Sequence, residues 1–162
     1  MKKGYTLIEI LVVVTVFAAI SLITSQTIIL TLRGTKKAES ISKVRSNLDN
    51  AVGSMERQLR GAKSIVSACA GAASPTIIFV DQNNNQVTFS CNNVNSNNQP
   101  SNIASGSASL TTSDVAISAC SFTCTPAAGN NPPSILISVT GNDLTGQGSS
   151  VPVVTQVTLR NF

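Results

Sequence analysis

The hydrophobic pattern of the chain changes period twice, and each change marks a different kind of element. From Ile10 to Leu32 there are 23 consecutive residues without a charge, and Glu9 stands directly before them. At about 1.5 Å of rise per residue, such a run makes a helix of about 35 Å, enough to cross a hydrocarbon core about 30 Å thick. A second pattern follows. Ile41, Val44, Leu48, Val52, Met55, Leu59, Ala62 and Val66 recur at steps of three and four, whereas Lys43, Arg45, Asn47, Asp49, Asn50, Glu56 and Arg57 fall off the stripe. That is one apolar face of a helix. No proline precedes Pro75, so the pattern predicts a single helix from about Tyr5 to about Ser67. Its first half is apolar all round, its second half is amphipathic, and its weak points are Ser21 to Thr27, Gly34 and Gly53. A helix of that length runs to roughly 95 Å, more than a compact domain of this size, so part of it is expected to project.

Beyond Ser74 the period becomes two. Thr76 to Val80 and Gln86 to Ser90 flank Asp81 to Asn85, which predicts a β-hairpin with an Asn-rich turn. Further strands are predicted at Val115 to Thr123, Ser134 to Thr140 and Val153 to Arg160. The polar segments Asn92 to Thr112 and Pro126 to Pro133 are predicted loops, where a binding function would be placed if there is one. Four or five antiparallel strands need one face covered, and the stripe from Ile41 to Val66 is the available cover. The expected fold class is therefore α+β, a long N-terminal helix packed on a C-terminal antiparallel sheet.

Charge and composition narrow the function. The 162 residues leave room for one soluble domain beside the N-terminal segment. The net charge is +4, yet eight of the eleven bases lie between residues 33 and 63. From Ser64 onward the only charges are Asp81, Asp114, Asp143 and Arg160, which gives no basic surface for nucleic acid. There is no histidine, and no lysine follows Lys63, so the hydroxyls of the C-terminal domain lack the usual activating groups. Asp81, Asp114 and Asp143 sit beside turn-forming residues and read as solvated loop acids rather than as an acid and base pair. Asp81, Asn83 and Asn85 match the first half of a calcium loop. Gln86 occupies the position that needs glycine, however, and no glutamate closes the loop, so a hairpin turn is expected. Arg160 reads as an edge contact. No enzyme, metal or cofactor is expected.

The four cysteines, Cys69, Cys91, Cys120 and Cys124, all follow the apolar run and suit an exported domain with disulfides. Cys120 and Cys124 would lie roughly 13 Å apart on a straight strand, beyond the limit of about 7 Å between bridged Cα atoms. Cys69 with Cys91 is the expected pairing. The long, uneven spacings do not resemble the paired C-x-x-C knuckles of a zinc site. A cleavable secretory signal does not fit the N-terminus. The apolar run outlasts an h-region of about 7–15 residues, no A-x-A site closes it, and Glu9 interrupts its start. Lys2 and Lys3 on one flank are balanced by Arg33, Lys36 and Lys37 on the other, so the cysteines, not the charges, argue for an outside C-terminal domain.

Gly4 followed by Tyr5-Thr6-Leu7-Ile8-Glu9, at the head of a membrane-length apolar run, resembles the leader of a type IV prepilin. The family more often has phenylalanine where Tyr5 stands. The resemblance implies that a prepilin peptidase cuts after Gly4, that the new N-terminal Tyr5 is methylated, and that the subunit enters a filament through its N-terminal helix. Glu9 would then pair with the charged amine of a neighbouring subunit, since either charge alone is costly to bury. Met55 to Ile65 and Val157 to Phe162 are similar to minor pilins and to the J-type minor pseudopilins of type II secretion. Ala68 to Ser150 remain unmatched, and the proline that kinks the helix of many major pilins is absent. Cleavage removes Lys2 and Lys3 and lowers the side-chain balance from +4 to +2 (9 − 7).

The expected division is a leader at 1–4, a transmembrane and filament-core helix at 5–32, an amphipathic helix half at 33–67 and a β-rich head at 68–162. The resemblance implies a single-pass membrane protein with an exported C-terminal domain, then an extracellular or periplasmic filament. Its partners are the peptidase and methyltransferase, other pilin or pseudopilin subunits and the lipid bilayer. A pseudopilin of type II secretion is the alternative within the family. A membrane-anchored binding or adhesin domain that never polymerises is the alternative from another class.

Overall fold

The structure is a computed structural model, described over residues 4–94, 101–128, 132–144 and 150–159. It divides into two compact units, one ending at Glu39 and one beginning at Ser40. One helix, α1 (Leu7–Arg60), supplies residues to both.

In the first unit the charge-free run is helical throughout, including the expected weak point from Ser21 to Thr27, and the helix continues through Gly34. Its serines and threonines turn their hydroxyls back onto the helix. Ser21 donates to the Phe17 carbonyl at 2.8 Å, Ser25 to Ser21 at 2.8 Å, Thr27 to Ile23 at 2.9 Å and Thr31 to Thr27 at 2.9 Å. A hydroxyl satisfied in this way does not need water, so these residues interrupt the hydrophobic surface without requiring the helix to leave an apolar solvent.

In the second unit, Val44, Leu48, Val52, Met55 and Leu59 of α1 are buried, as the stripe predicts. The helix ends at Arg60 rather than near Ser67. The Gly61 and Ala62 amides close on the Gln58 and Leu59 carbonyls at 3.2 and 3.1 Å, a tightened last turn. The chain then joins the sheet. Lys63 and Val66 donate to the Val80 and Ile78 carbonyls, each at 2.8 Å, and Val66, expected on the buried stripe, is 53% exposed.

The head contains two antiparallel sheets rather than one. The first has the order β1 (Ser64–Ile65), β3 (Thr76–Val80), β4 (Gln86–Asn92), β5 (Asn102–Ser105), β6 (Ala108–Ser109). The second has the order β2 (Ala73–Ser74), β7 (Val115–Thr125), β8 (Ser134–Asp143), β9 (Ser150–Thr158). The hairpin β3–β4 forms as predicted, with Thr76 opposite Ser90 and Val80 opposite Gln86. The expected loop Asn92 to Thr112 instead holds β5 and β6; its residues 95–100 lie outside the described residues, as do residues 129–131 of the expected loop Pro126 to Pro133. The last strand ends at Thr158, and Arg160 lies outside the described residues.

Inward positions explain the register. In β8 the odd residues Ile135, Ile137, Val139, Gly141 and Asp143 are buried without interruption. In β7 the inward set is Val115 and Ile117, then Cys120, Phe122 and Cys124, a switch from odd to even made by a bulge between Ile117 and Ala119. Without that extra residue, the second half of β7 would turn its apolar side chains to solvent. Phe79, Phe89 and Phe122 are the largest fully buried side chains, and Phe79 and Phe89 pack with ring centroids 5.2 Å apart. At Gly141 a side chain of the helix packs directly against the sheet backbone. A Cβ there would lie 3.1 Å from Leu48 Cδ1 and 3.2 Å from Val115 Cγ1.

The disulfides are Cys69–Cys124 and Cys91–Cys120, with Cα separations of 4.8 and 5.9 Å, and not the expected Cys69–Cys91. The two-sheet arrangement is the reason. Cys91 and Cys120 lie on β4 and β7, so their bond joins the first sheet to the second. Cys69 precedes Gly71, whose amide donates to the Cys124 carbonyl at 2.9 Å, so the β1–β2 connection lies along the end of β7. Cys120 and Cys124 are not bonded to each other, in accord with their spacing on one strand.

Candidate functional site

The candidate site is the first turn of α1 and the charge-free run behind it. Gly4, Tyr5 and Thr6 precede the helix, and Tyr5 is 79% exposed. Thr6 is the N-cap. Its carbonyl accepts from the Glu9 and Ile10 amides at 3.1 and 3.3 Å, and its hydroxyl oxygen accepts from the Glu9 amide at 3.3 Å. Thr6-x-x-Glu9 is therefore the sequence of a capping box, with threonine at the N-cap and glutamate three residues on. The sequence reading missed this device, although the Thr-x-x-Glu spacing carried the signal.

This geometry gives Glu9 a local reason for its place. A carboxylate in the first turn faces the positive end of the helix dipole and the unsatisfied amides there. The Gly4–Tyr5 peptide bond thus lies just before the helix, and Glu9 lies in its first turn. Behind them α1 is long and apolar enough to cross a membrane, and its large apolar side chains from Leu7 to Leu32 are exposed.

The three aspartates each have a partner of their own. Asp81 organises the β3–β4 turn: its Oδ1 accepts from the Asn83 and Asn85 amides at 2.8 and 2.7 Å. Asn84 in that turn has φ 63°, a left-handed conformation that asparagine tolerates, and its Oδ1 accepts from Lys63 Nζ at 2.7 Å. Asp114 pairs with Lys43 at 3.0 Å on the surface. Asp143 is not the solvated loop acid expected of it. It ends β8 on the inward, odd-numbered side, is 8% exposed, and accepts from Ser40 Oγ at 2.5 Å. Nothing in the sequence pairs Ser40 with a residue 103 positions away, and the bond depends on the packing of α1 on β8. Glu56 of α1 is bound in a similar way by the Thr155 hydroxyl of β9. Among the described residues, no three His, Cys, Asp or Glu side chains are grouped as a metal site.

Residues 1–25 match the prokaryotic N-terminal methylation motif. No curated protein and no solved structure matches the chain. The motif, together with a long N-terminal helix packed on antiparallel sheet, supports a type IV pilin-like protein.

Proposed function

We propose that the chain is a structural subunit of a type IV pilus-like filament, of the minor pilin kind. It is inserted in the membrane, processed after Gly4, N-methylated at Tyr5 and assembled through its N-terminal helix. In this reading residues 1–4 are the leader, 5–32 the membrane and filament-core segment, 33–67 the amphipathic helix half with its exit into the sheet, and 68–162 the exported head. What carries the proposal is one juxtaposition: a scissile-type Gly4–Tyr5 bond just outside a capped helix, a single acid in the first turn, and then an exposed, charge-free, membrane-length helix.

Each part has a physical task. Cleavage removes Lys2 and Lys3 and creates an amine at Tyr5, and methylation keeps its positive charge. Glu9 is tolerated near the headgroups before assembly. In the low dielectric of a helix bundle it needs a cation, and the amine of a neighbouring copy supplies one. That pair fixes how far one helix stands along another. The apolar segment thereby exchanges one nonpolar surrounding, lipid, for another, the packed helices of a filament.

Replacing Glu9 with Ala tests the reading. Membrane insertion is expected to persist while incorporation into filaments falls at least tenfold. Unchanged incorporation of the variant would contradict the assembly role. A subunit of a type II secretion filament is the second reading, because Met55 to Ile65 resembles J-type minor pseudopilins as well as minor pilins, and co-purification with secretion components instead of pilus components would select it.

A further inference from the structure

Arg33, Lys36 and Lys37 follow directly on Leu32, where the charge-free run ends. All three lie in α1 and all are exposed. Spacings of three and four residues put them on a single arc of the helix about 100° wide. Among the described residues the ion pairs are Lys43–Asp114, Arg45–Asp49 and Arg60–Glu56, so none of the three has a carboxylate partner. Glu39, within one turn, is exposed and pairs with none of them. The frame beneath them is regular: α1 passes through Gly34 unbroken, and the Thr35 hydroxyl donates to the Leu32 carbonyl at 3.0 Å. The three cations are therefore held on one face by a helix.

Their depth follows from the segment before them. A run of about 35 Å that crosses a hydrocarbon core about 30 Å thick ends in the phosphate layer, and the next helical turn carries these side chains. We propose that Arg33, Lys36 and Lys37 form a binding patch for anionic phospholipid headgroups, on the side of the bilayer where the charge-free segment of α1 ends. The proposal rests on the membrane-spanning reading of that segment. The guanidinium fork of Arg33 matches two phosphodiester oxygens, and the two lysines add compact positive charge on long stems that reach the headgroup layer. A zwitterionic headgroup offers the same phosphate but brings its own ammonium, so the patch selects lipids of net negative charge.

The test uses the full chain reconstituted in phosphatidylcholine vesicles that contain a trace of either spin-labelled phosphatidylglycerol or spin-labelled phosphatidylcholine. The readout is the fraction of label immobilised by the protein. The wild type is expected to hold the anionic label about fivefold more strongly, the effect of one well-placed cation, and to lose that preference as salt is raised. The triple variant Arg33→Gln, Lys36→Gln, Lys37→Gln is expected to lose most of that preference, keeping only what Lys2 and Lys3 contribute at the other end of the run, while Arg57→Gln, an exposed cation further along α1, keeps it in full. Equal immobilisation of both labels by the wild type, or an unchanged preference in the triple variant, overturns the patch and leaves the membrane reading standing. Immobilisation of neither label overturns both. A preference suppressed by inorganic phosphate more than by chloride at matched ionic strength assigns the patch to free anions and overturns the lipid assignment.

Discussion

Thr6 and Glu9 show how much one turn of helix can hold. Thr6 ends the extended segment and caps α1, so the Gly4–Tyr5 bond stays outside the helix while Glu9 is fixed inside it. Replacing Thr6 with Ala removes the side-chain acceptor for the Glu9 amide, leaving it the backbone carbonyl alone, and is expected to cost about 1 kcal/mol of helix-start stability, with Ser restoring it. Backbone hydrogen exchange at Leu7 to Ile10 would register the fraying. Two residues of the second unit are comparably sensitive. A methyl at Gly141 would press on Leu48 and Val115, which face it from the helix and the neighbouring strand, so Gly141→Ala is expected to destabilise by about 1–3 kcal/mol. Ser40→Ala deletes a hydrogen bond to a buried carboxylate and is expected to cost about 1.5–3 kcal/mol. Denaturant midpoints of the full chain in detergent measure both, and a midpoint equal to that of the wild type would contradict the packing described for either site.

At the scale of elements, legibility followed from how local the cause was. The helix was readable because its apolar run and its stripe of three- and four-residue steps are properties of neighbouring residues. Its end was not, because Lys63 and Val66 leave the helix to pair with β3, a partner more than ten residues away in the chain. The hairpin β3–β4 was readable from alternation and an Asn-rich turn, whereas β5 and β6 were not. They are four and two residues long, sit in an Asn- and Ser-rich segment, and are strands because β4 offers an edge. The cysteine pairing failed for a related reason. One sheet was expected, and the observed bonds depend on there being two. Each bond closes a long loop, with separations of 55 and 29 residues, and removing either by paired Cys→Ser substitution is expected to cost about 3–4 kcal/mol. Non-reducing peptide mapping that recovers Cys69 joined to Cys91 would contradict the two-sheet arrangement.

At the scale of the whole molecule, the distribution of charge separates the roles. The first unit carries a charge-free surface bounded by Glu9 at one end and by Arg33, Lys36 and Lys37 at the other, which suits an apolar surrounding with polar limits. The second unit buries Phe79, Phe89 and Phe122 under a helix and two sheets, and three of its acids hold structure together: Asp81 in a turn, Asp143 beneath Ser40, Glu56 against Thr155. The family match, residues 1–25, lies at the N-terminus, so the proposed function is tested there. The most direct measurement is tandem mass spectrometry of the mature protein's N-terminal peptide. A chain that begins at Tyr5 and carries a methyl group on its amine is the predicted result. A chain that retains Met1 to Gly4, or one that begins near Gln26 after loss of the apolar segment, would contradict the account.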